Sequence, residues 1–374
     1  MLDDKRDRES DRSSVDPASV VPAVAPFGRG RPSPAAATTV GSMPGTSIRE
    51  AVSIVVDELA GDDGVPHLPE LPERGPGGDL IGRTGGMLSR ITPDLALETT
   101  PDGWRFADAP GREARRAWSW VGEDLDAWEE GLTSFTGVAA ASIAGPWTLA
   151  ASIELHYGER ALRDKGAARD IAGALAQVAT ELVADLRRRI PLATHMIWID
   201  EPSINAVLEG SIATQSGRWR IAAVDAAVVE TALTLVVDAI HAAGAAAAIH
   251  CCAARPPHAL LLRTGIDALS IDLTRHSSKD DDRIGELVDS GTRLVAGIIP
   301  GVDSELSGDI ATVEPVRVLG QRLGFDSATL ADAVMLSPTC GLAGASMDYV
   351  RAALPRLRSA ARTMRDQEPG DDER

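Results

Sequence analysis

The feature that most constrains the fold is a repeated alternation of short apolar runs with helical patterns. Eight apolar or β-branched runs lie at residues 38–42, 65–70, 138–145, 195–200, 246–251, 267–272, 293–299 and 333–337. Such alternation is typical of βα units that form a parallel sheet. Eight strands, each followed by a helix, predict an α/β protein with a (β/α)8 TIM barrel, which needs roughly 250 residues.

Helical periodicity is clearest in two of the stretches between these runs. One has apolar residues at spacings of four and three, at Ile171, Leu175, Val178, Leu182 and Leu186. The other lies just before the fifth run, at Val229, Ala232, Leu233, Val236 and Ile240. Each pattern places one apolar stripe on a helix, as expected for helices that cover a barrel.

The remaining segments set the domain boundaries. The segment from about residue 74 to 134 is too long for one crossover, and it contains Gly-rich sequence, a possible hairpin at Pro101-Asp102-Gly103 and an Arg- and Trp-rich helix. It is predicted to be an insertion after strand 2, over the barrel mouth. Residues 1–36 and 366–374 are polar without periodicity and are predicted to be disordered tails. Residues 37–365 then form one barrel domain.

Charge and composition exclude several classes of protein. Asp and Glu number 55 against 37 Lys and Arg, a formal net charge of −18, which argues against nucleic acid and anionic membranes as partners. We find neither an uncharged apolar run of about 18 residues nor the apolar core of a secretory signal. Three cysteines make no disulfide framework, so we expect a cytoplasmic protein.

The strongest chemical signal is Ile249-His250-Cys251-Cys252 at the end of the fifth strand. Residues two apart on a strand share a face, so His250 and Cys252 point together while Cys251 points toward the helices. Imidazole and thiolate are suitable zinc ligands. The alternative is a buried cysteine beside a histidine that belongs to the core.

Two further residues favour the metal site. Cys340 follows the eighth strand and Asp272 ends the sixth. In a TIM barrel these positions lie with His250 and Cys252 on the C-terminal rim, where such enzymes build their active sites. Three or four ligands with room for an incoming group are typical of a catalytic zinc site.

Other rim residues suggest a substrate site. Val40-Gly41-Ser42 ends the first strand, and a Gly-Ser turn exposes N–H groups that can hold a carboxylate. Asp200-Glu201-Pro202 ends the fourth strand and Glu70 the second, and paired acids can hold an amine. Each also has a simpler explanation, because a turn is often only a turn and Asp-Glu-Pro can start a helix.

These motifs, in this order, resemble the C-terminal catalytic barrel of cobalamin-independent methionine synthases. The matching strings occupy residues 38–44, 144–148, 199–202, 249–252 and 337–342, so the resemblance covers about residues 35–360. Larger members carry an N-terminal domain that helps to bind polyglutamylated methylfolate. The chain resembles the core-only form, which leaves its methyl donor open.

The resemblance implies a role for each candidate residue. Zn²⁺ would be held by His250, Cys252, Asp272 and Cys340, with Asp272 standing where the family has a longer Glu. Homocysteine would contact the backbone of Val40, Gly41 and Ser42, and its amine would be held by Asp200 and by Glu70, for which Glu73 is the rival.

Two departures from the family fall on the donor side. Asp303 stands roughly where the family has a proton-donating histidine, and Ser152 stands where it has a tryptophan that contacts folate. A methylfolate leaving group needs a proton, whereas a corrinoid leaving group does not. The missing histidine therefore favours a corrinoid donor, unless Asp303 or water supplies the proton.

The sequence thus predicts a zinc-dependent methyltransferase that moves a methyl group from methyltetrahydrofolate or a corrinoid donor to homocysteine, forming methionine. One alternative is a uroporphyrinogen-decarboxylase-like barrel, whose metal-free site gives no reason for His250, Cys252 and Cys340 to converge. A second alternative is a non-catalytic zinc- or thiol-binding relative that kept only the acceptor site.

Overall fold

The computed structural model describes residues 32–366. In chain order the strands are β1 (Ala37–Thr38), β2 (Gly64–Val65), β3 (Leu97–Thr100), β4 (Gly103–Phe106), β5 (Val138–Ala144), β6 (Ile153–Glu154), β7 (Thr194–Asp200), β8 (Ala246–Cys251), β9 (Ala268–Asp272), β10 (Arg293–Ile299) and β11 (Val334–Pro338). The helices are α1 (Ile48–Leu59), α2 (Leu80–Ile91), α3 (Arg112–Gly131), α4 (Pro146–Ser152), α5 (Lys165–Arg189), α6 (Ile204–Glu209), α7 (Ala226–Ala243), α8 (His258–Arg263), α9 (Asp281–Asp289), α10 (Asp309–Leu323), α11 (Ser327–Ala333) and α12 (Met347–Arg365).

Within the described part of the chain, eight strands form a parallel sheet in the order β2-β1-β11-β10-β9-β8-β7-β5. Its two ends meet where His67 and Ala140 form a parallel bridge. There Ala140 N donates to Pro66 O and Leu68 N to Ala140 O, each at 2.8 Å. The predicted (β/α)8 barrel is therefore confirmed, with each strand overlapping or directly adjoining one of the predicted runs.

The barrel interior is filled by one large side chain among small ones. Trp198 is fully buried inside the barrel. Around it pack residues that are mostly small, namely Ala36, Val65, Val138, Ala140, Met196, Ala246, Ala248, Ala268, Val295 and Met335. The alanines leave the space that one indole fills, which gives a packed core without an open channel.

The two predicted apolar stripes lie under the barrel helices. Every predicted stripe residue of α5 is buried, and so are four of the five on α7, with Ala232 half-buried. Among the described residues, α7 is the one helix long and apolar enough to cross a membrane, with a mean hydropathy of 1.6. Length and composition of this kind are weak evidence, because a core helix passes the same test. Here α7 packs on α5 and β8.

The insertion after strand 2 contains the predicted hairpin and one helix that was not predicted. Strands β3 and β4 pair antiparallel around Asp102, and β4 also pairs with β6 in parallel. Helix α2 forms although three glycines disfavour it. A Cβ on Gly85 would lie 2.5 Å from Leu97, and one on Gly86 would lie 2.7 Å from Ala117. The glycines therefore allow α2 to pack closely against the hairpin and α3.

Ordered structure begins slightly before the predicted domain boundary. Ala35 and Ala36 are buried, and Ala35 N donates to Ala331 O at 2.6 Å. Ala36 belongs to the barrel interior, which explains why this short segment packs although its sequence has no periodicity. The rest of the predicted disordered tails, residues 1–31 and 367–374, lies outside the described residues.

Candidate active site

Three of the predicted metal ligands come together at the C-terminal rim of the barrel. His250 and Cys252 lie at the end of β8, and Cys340 lies in the loop after β11. Their ligand atoms are all within 4.8 Å of one another. The two Sγ atoms are 3.6 Å apart. The side chains of His250 and Cys252, two residues apart at one strand end, thus lie next to Cys340 from the loop after another strand of the barrel.

The contacts of His250 leave one ring nitrogen free to bind a metal. Nδ1 lies 2.9 Å from Oγ of Ser270 on the neighbouring strand β9. Nε2 is buried and has no hydrogen-bond partner among residues 32–366. The ring also lies against Trp198, with centroids 6.5 Å apart. The serine and the indole orient the imidazole, as partners of metal-binding histidines commonly do.

The three cysteines have different environments. A hydrogen bond from Cys340 lowers the pKa of the Cys252 thiol below its usual range. The same hydrogen bond and burial raise the pKa of Cys340 to about 12. Cys251 is fully buried in the core outside the barrel strands, as the strand alternation predicts, and burial raises its pKa to about 12. Cys252 and Cys340 therefore share the site, and Cys251 is separate from it.

The donor set fits a metal ion that prefers nitrogen and sulfur. One orphaned imidazole nitrogen and two adjacent thiols supply three ligands, which leaves a position for a substrate group. Asp272, the predicted fourth ligand, is not part of this group. Its Oδ1 accepts hydrogen bonds from Thr274, at 3.0 Å from the backbone N and 2.6 Å from Oγ1.

The predicted substrate turn lies next to the metal group. Gly41 has a φ of +103°, a conformation that favours glycine. Ser42 forms a parallel bridge with Glu70, and Glu70 N donates to Gly41 O at 3.1 Å. On its other side, Ser42 O accepts from Leu342 N at 2.7 Å. The turn that begins with Val40 therefore joins the loop of Cys340 to the segment of Glu70.

Two buried acids face this region. Glu70 is 3% exposed and Asp200 is 5% exposed, and Glu70 Oε1 and Asp200 Oδ1 have no hydrogen-bond partner among the described residues. Burial raises the pKa of Glu70 to about 7. Burial, followed by the nearby charge of Glu70, raises the pKa of Asp200 well above its usual value. Glu73, the rival candidate, is instead exposed on a short 3-10 helix.

Glu201 faces away from Asp200 and has a structural role. Its carboxylate accepts from the backbone N of Trp147 and Thr148, each at 2.9 Å, and from Thr148 Oγ1 at 2.7 Å. These bonds cap the N-terminus of α4. A Cβ on Gly145 would lie 2.3 Å from this carboxylate, so that position has room only for glycine.

The structure does not bring Asp303 into the metal group. Its side chain is exposed, and Oδ1 accepts a hydrogen bond from Ser346 N at 2.7 Å. Ser346 is the N-cap of α12. The carboxylate therefore binds the start of that helix, and its predicted role as a proton donor stays a prediction.

Three polar residues near the site were not identified from the sequence. His67 Nε2 lies 2.7 Å from Ser142 Oγ in the barrel interior, and Ser270 supports His250. Burial lowers the pKa of His67 to about 4, so the ring is neutral. The missed signal is a single polar residue inside an otherwise apolar strand, as at Ser142 and Ser270.

Comparison with known proteins identifies the family. Residues 135–363, more than half of the chain, match the family model described as the catalytic domain of cobalamin-independent synthases. This range contains β5 and β7 to β11, with His250, Cys252 and Cys340, whereas the turn at Ser42 and Glu70 lie outside it. A search of curated proteins found no match.

A solved structure supports the same fold. A B12-independent methionine synthase from Shewanella sp. W3-18-1, in complex with selenomethionine, has a TM-score of 0.58 at 13% identity, and the match covers 89% of this chain and 98% of that one. A β-glucosidase has a lower TM-score of 0.42 at 13% identity, and the match covers 91% of this chain and 100% of that one.

The family match favours the predicted synthase over the uroporphyrinogen-decarboxylase-like and non-catalytic alternatives. Members of this family transfer a methyl group to homocysteine, and the matched catalytic domain contains Asp200 together with the metal group His250, Cys252 and Cys340. The chain belongs to the family of cobalamin-independent methionine synthases.

Proposed function

We propose that this enzyme forms methionine from homocysteine with a zinc ion held by His250, Cys252 and Cys340. The observation that carries the proposal is the convergence of these three ligand atoms within 4.8 Å, with Nε2 of His250 buried and unpartnered. Asp272 at the adjacent strand end is the proposed fourth ligand. All three cysteines are free, which is compatible with the cytoplasm, where we expect the enzyme to act.

The protein groups around the metal site orient the acceptor. We place the homocysteine ammonium between Glu70 and Asp200, each of which has one buried carboxylate oxygen without a hydrogen-bond partner among the described residues. The backbone N–H groups of Gly41 and Ser42 would hold its carboxylate. With both ends held, the thiol points toward Cys252 and Cys340. A bound zinc ion would lower the pKa of a coordinated thiol, so that the sulfur is nucleophilic near neutral pH.

The identity of the methyl donor is a separate part of the proposal. Membership of the family implies methylfolate, and nothing in the comparisons supports a corrinoid donor. The corrinoid prediction rests on the missing histidine and on Asp303, whose carboxylate is bonded to Ser346 N. General acid catalysis is typically worth roughly 10²–10⁴-fold, so its loss would be visible as slow transfer from methylfolate.

Metal analysis and single-turnover methionine formation test this function. The purified protein is expected to hold close to one zinc per chain, and homocysteine is expected to add one sulfur to the metal's shell in X-ray absorption. A zinc-loaded protein that forms methionine from neither methyltetrahydrofolate nor methylcobalamin would contradict the proposal.

The same assay decides between the donors. At matched concentrations the sequence predicts faster methionine formation from methylcobalamin. If methylfolate is the faster donor, the corrinoid prediction is wrong and another acid is working. Asp303→Asn then shows whether that acid is Asp303, because the amide cannot supply the proton.

A further inference from the structure

A buried cluster of charged residues lies beside the proposed ammonium site, and the chemistry above does not use most of it. Arg83 comes from α2 and Asp124 from α3, both in the inserted segment, and Arg74 comes from the short 3-10 helix just before α2. Arg83 is 2% exposed and Asp124 is 3% exposed. Burying an arginine is costly unless nearby acids compensate its charge.

The guanidinium of Arg83 lies between two acids. Its Nη1 is 3.6 Å from Glu70 Oε1 and donates to Ser142 O at 3.3 Å. Its Nε is 3.7 Å from Asp124 Oδ2. The second Asp124 oxygen accepts from Arg74 Nη1 at 2.8 Å. Arg83 thus connects the inserted helices to the carboxylate that we assign to acceptor binding.

Two of the four acids in this cluster have no cation of their own. Glu70 faces one cation, Arg83, and three acids: Asp124, Asp79 and, on β7, Asp200. Arg74 and Arg83 balance Glu70 and Asp124. Of the other two acids, Asp79 caps the N-terminus of α2, where its Oδ1 accepts from Gly82 N at 2.9 Å. Asp200 is the acid that an incoming ammonium would face. Without Arg83, Glu70 would be surrounded by acids and would bind a proton in place of the ammonium.

We propose that Arg83 is a positioning residue that, through Glu70, makes the site selective for a thiol whose carbon chain also carries an ammonium group. The proposal rests on the acceptor site described under the proposed function. It also gives the insertion a role in recognition, because α2 brings Arg83 to the barrel mouth.

Calorimetric binding to the zinc-loaded full chain tests this role. The ligands are homocysteine and 4-mercaptobutyrate, which has the same thiol and carboxylate without the amine. Arg83→Met is expected to weaken homocysteine binding by about tenfold or more at pH 8, where the wild-type Glu70 carboxylate, with a pKa of about 7, is charged. This is the loss expected for one charge-assisted hydrogen bond. The loss should be smaller at pH 6, where Glu70 binds a proton even with Arg83 in place. Binding of 4-mercaptobutyrate should not change.

Other outcomes would overturn the inference. Equal weakening of both ligands, or equal weakening at both pH values, would assign Arg83 to general packing or to the carboxylate. Arg83→Lys, which keeps the charge, is the second variant and covers a folding failure of Arg83→Met. It should keep most of the preference for homocysteine, and a preference lost there would also overturn the inference.

A double-mutant comparison isolates the pathway through Glu70. In a Glu70→Gln background, Arg83→Met should cause little further loss of homocysteine binding, because the group it acts on is gone. An undiminished loss would overturn the inference. If the wild-type protein binds neither homocysteine nor 4-mercaptobutyrate, the proposed function itself is contradicted. If it binds homocysteine and Arg83→Met leaves that affinity unchanged, only the role of Arg83 is contradicted.

Discussion

The two halves of the acceptor site are built in different ways. On the metal side, His250 and Cys252 end a regular strand and Cys340 follows another, all inside the range that matches the family. On the ammonium side, Glu70 follows a two-residue strand outside that range and depends on ion pairs from inserted helices. Local strand geometry thus sets the metal side and the position of Asp200 at the end of β7, whereas long-range packing sets the position of Glu70.

The largest expected effect is loss of the metal when one of its thiols is removed. Cys252→Ser or Cys340→Ser should reduce bound zinc well below one per chain and lower methionine formation by more than ~100-fold. The loss should exceed the ~10–100-fold typical of residues that only support a ligand. Metal analysis after gel filtration measures the first effect and a single-turnover assay the second.

Cys251→Ser is the matched control, since Cys251 is fully buried on the opposite face of the same strand. It should keep its zinc. Equal metal loss in all three variants would mean that strand alternation does not separate the ligands from the core. The conclusion that local strand geometry sets the metal side would then be wrong.

A smaller effect is expected on the ammonium side. Asp200→Asn should weaken homocysteine binding by roughly 1.5–3 kcal/mol, because it removes one charged partner of the ammonium. Zinc content should stay the same. Glu209→Gln, at the end of α6, is the exposed control. Unchanged affinity in Asp200→Asn would mean that only the metal side selects the acceptor.

A variant of Ser270, whose hydroxyl lies 2.9 Å from His250 Nδ1, tests whether the metal affinity also depends on residues that do not bind the metal. Ser270→Ala should lower metal affinity by roughly 10–100-fold, because the partner that orients the imidazole is lost. A competition titration with a zinc chelator measures this loss. Ser270→Thr keeps the hydroxyl and should retain most of the affinity, and a Thr variant as weak as the Ala variant would point to steric packing instead.

The smallest effect concerns a histidine far from both halves. Burial lowers the pKa of His195, at the start of β7, to about 4. The unfolded chain takes up a proton below about pH 6.5 and the folded chain does not. Stability should therefore fall as the pH drops from 6.5 toward 4.

Urea unfolding of wild type and His195→Gln at pH 7 and 4.5 measures this contribution. On acidification the free energy of unfolding should fall less in His195→Gln than in the wild type, by about 1 kcal/mol. This difference lies below the upper limit of about 1.4 kcal/mol for each unit by which the folded-state pKa is shifted. An identical loss in both proteins would show that other groups control acid sensitivity.

The sequence predicts the barrel and its rim well because each depends on local patterns. Strand alternation places Cys252 in the site and Cys251 in the core, and both positions agree with the structure. The role of Arg83 could not be predicted in this way, because it depends on α2 packing against α3 and β5. Glycines that argue against a helix when read locally are what permit that packing.

The seam between the first and last barrel strands has a consequence for how the enzyme matures. Strand β1 pairs with β11, and Leu342 N bonds to Ser42 O across that seam. The substrate turn and Cys340 are thus nearly 300 residues apart in sequence, and closing so long a loop is slow. During synthesis the ribosome must release β11 before the barrel can close. Catalytic competence should therefore arise late and abruptly, and partly made chains should bind no acceptor.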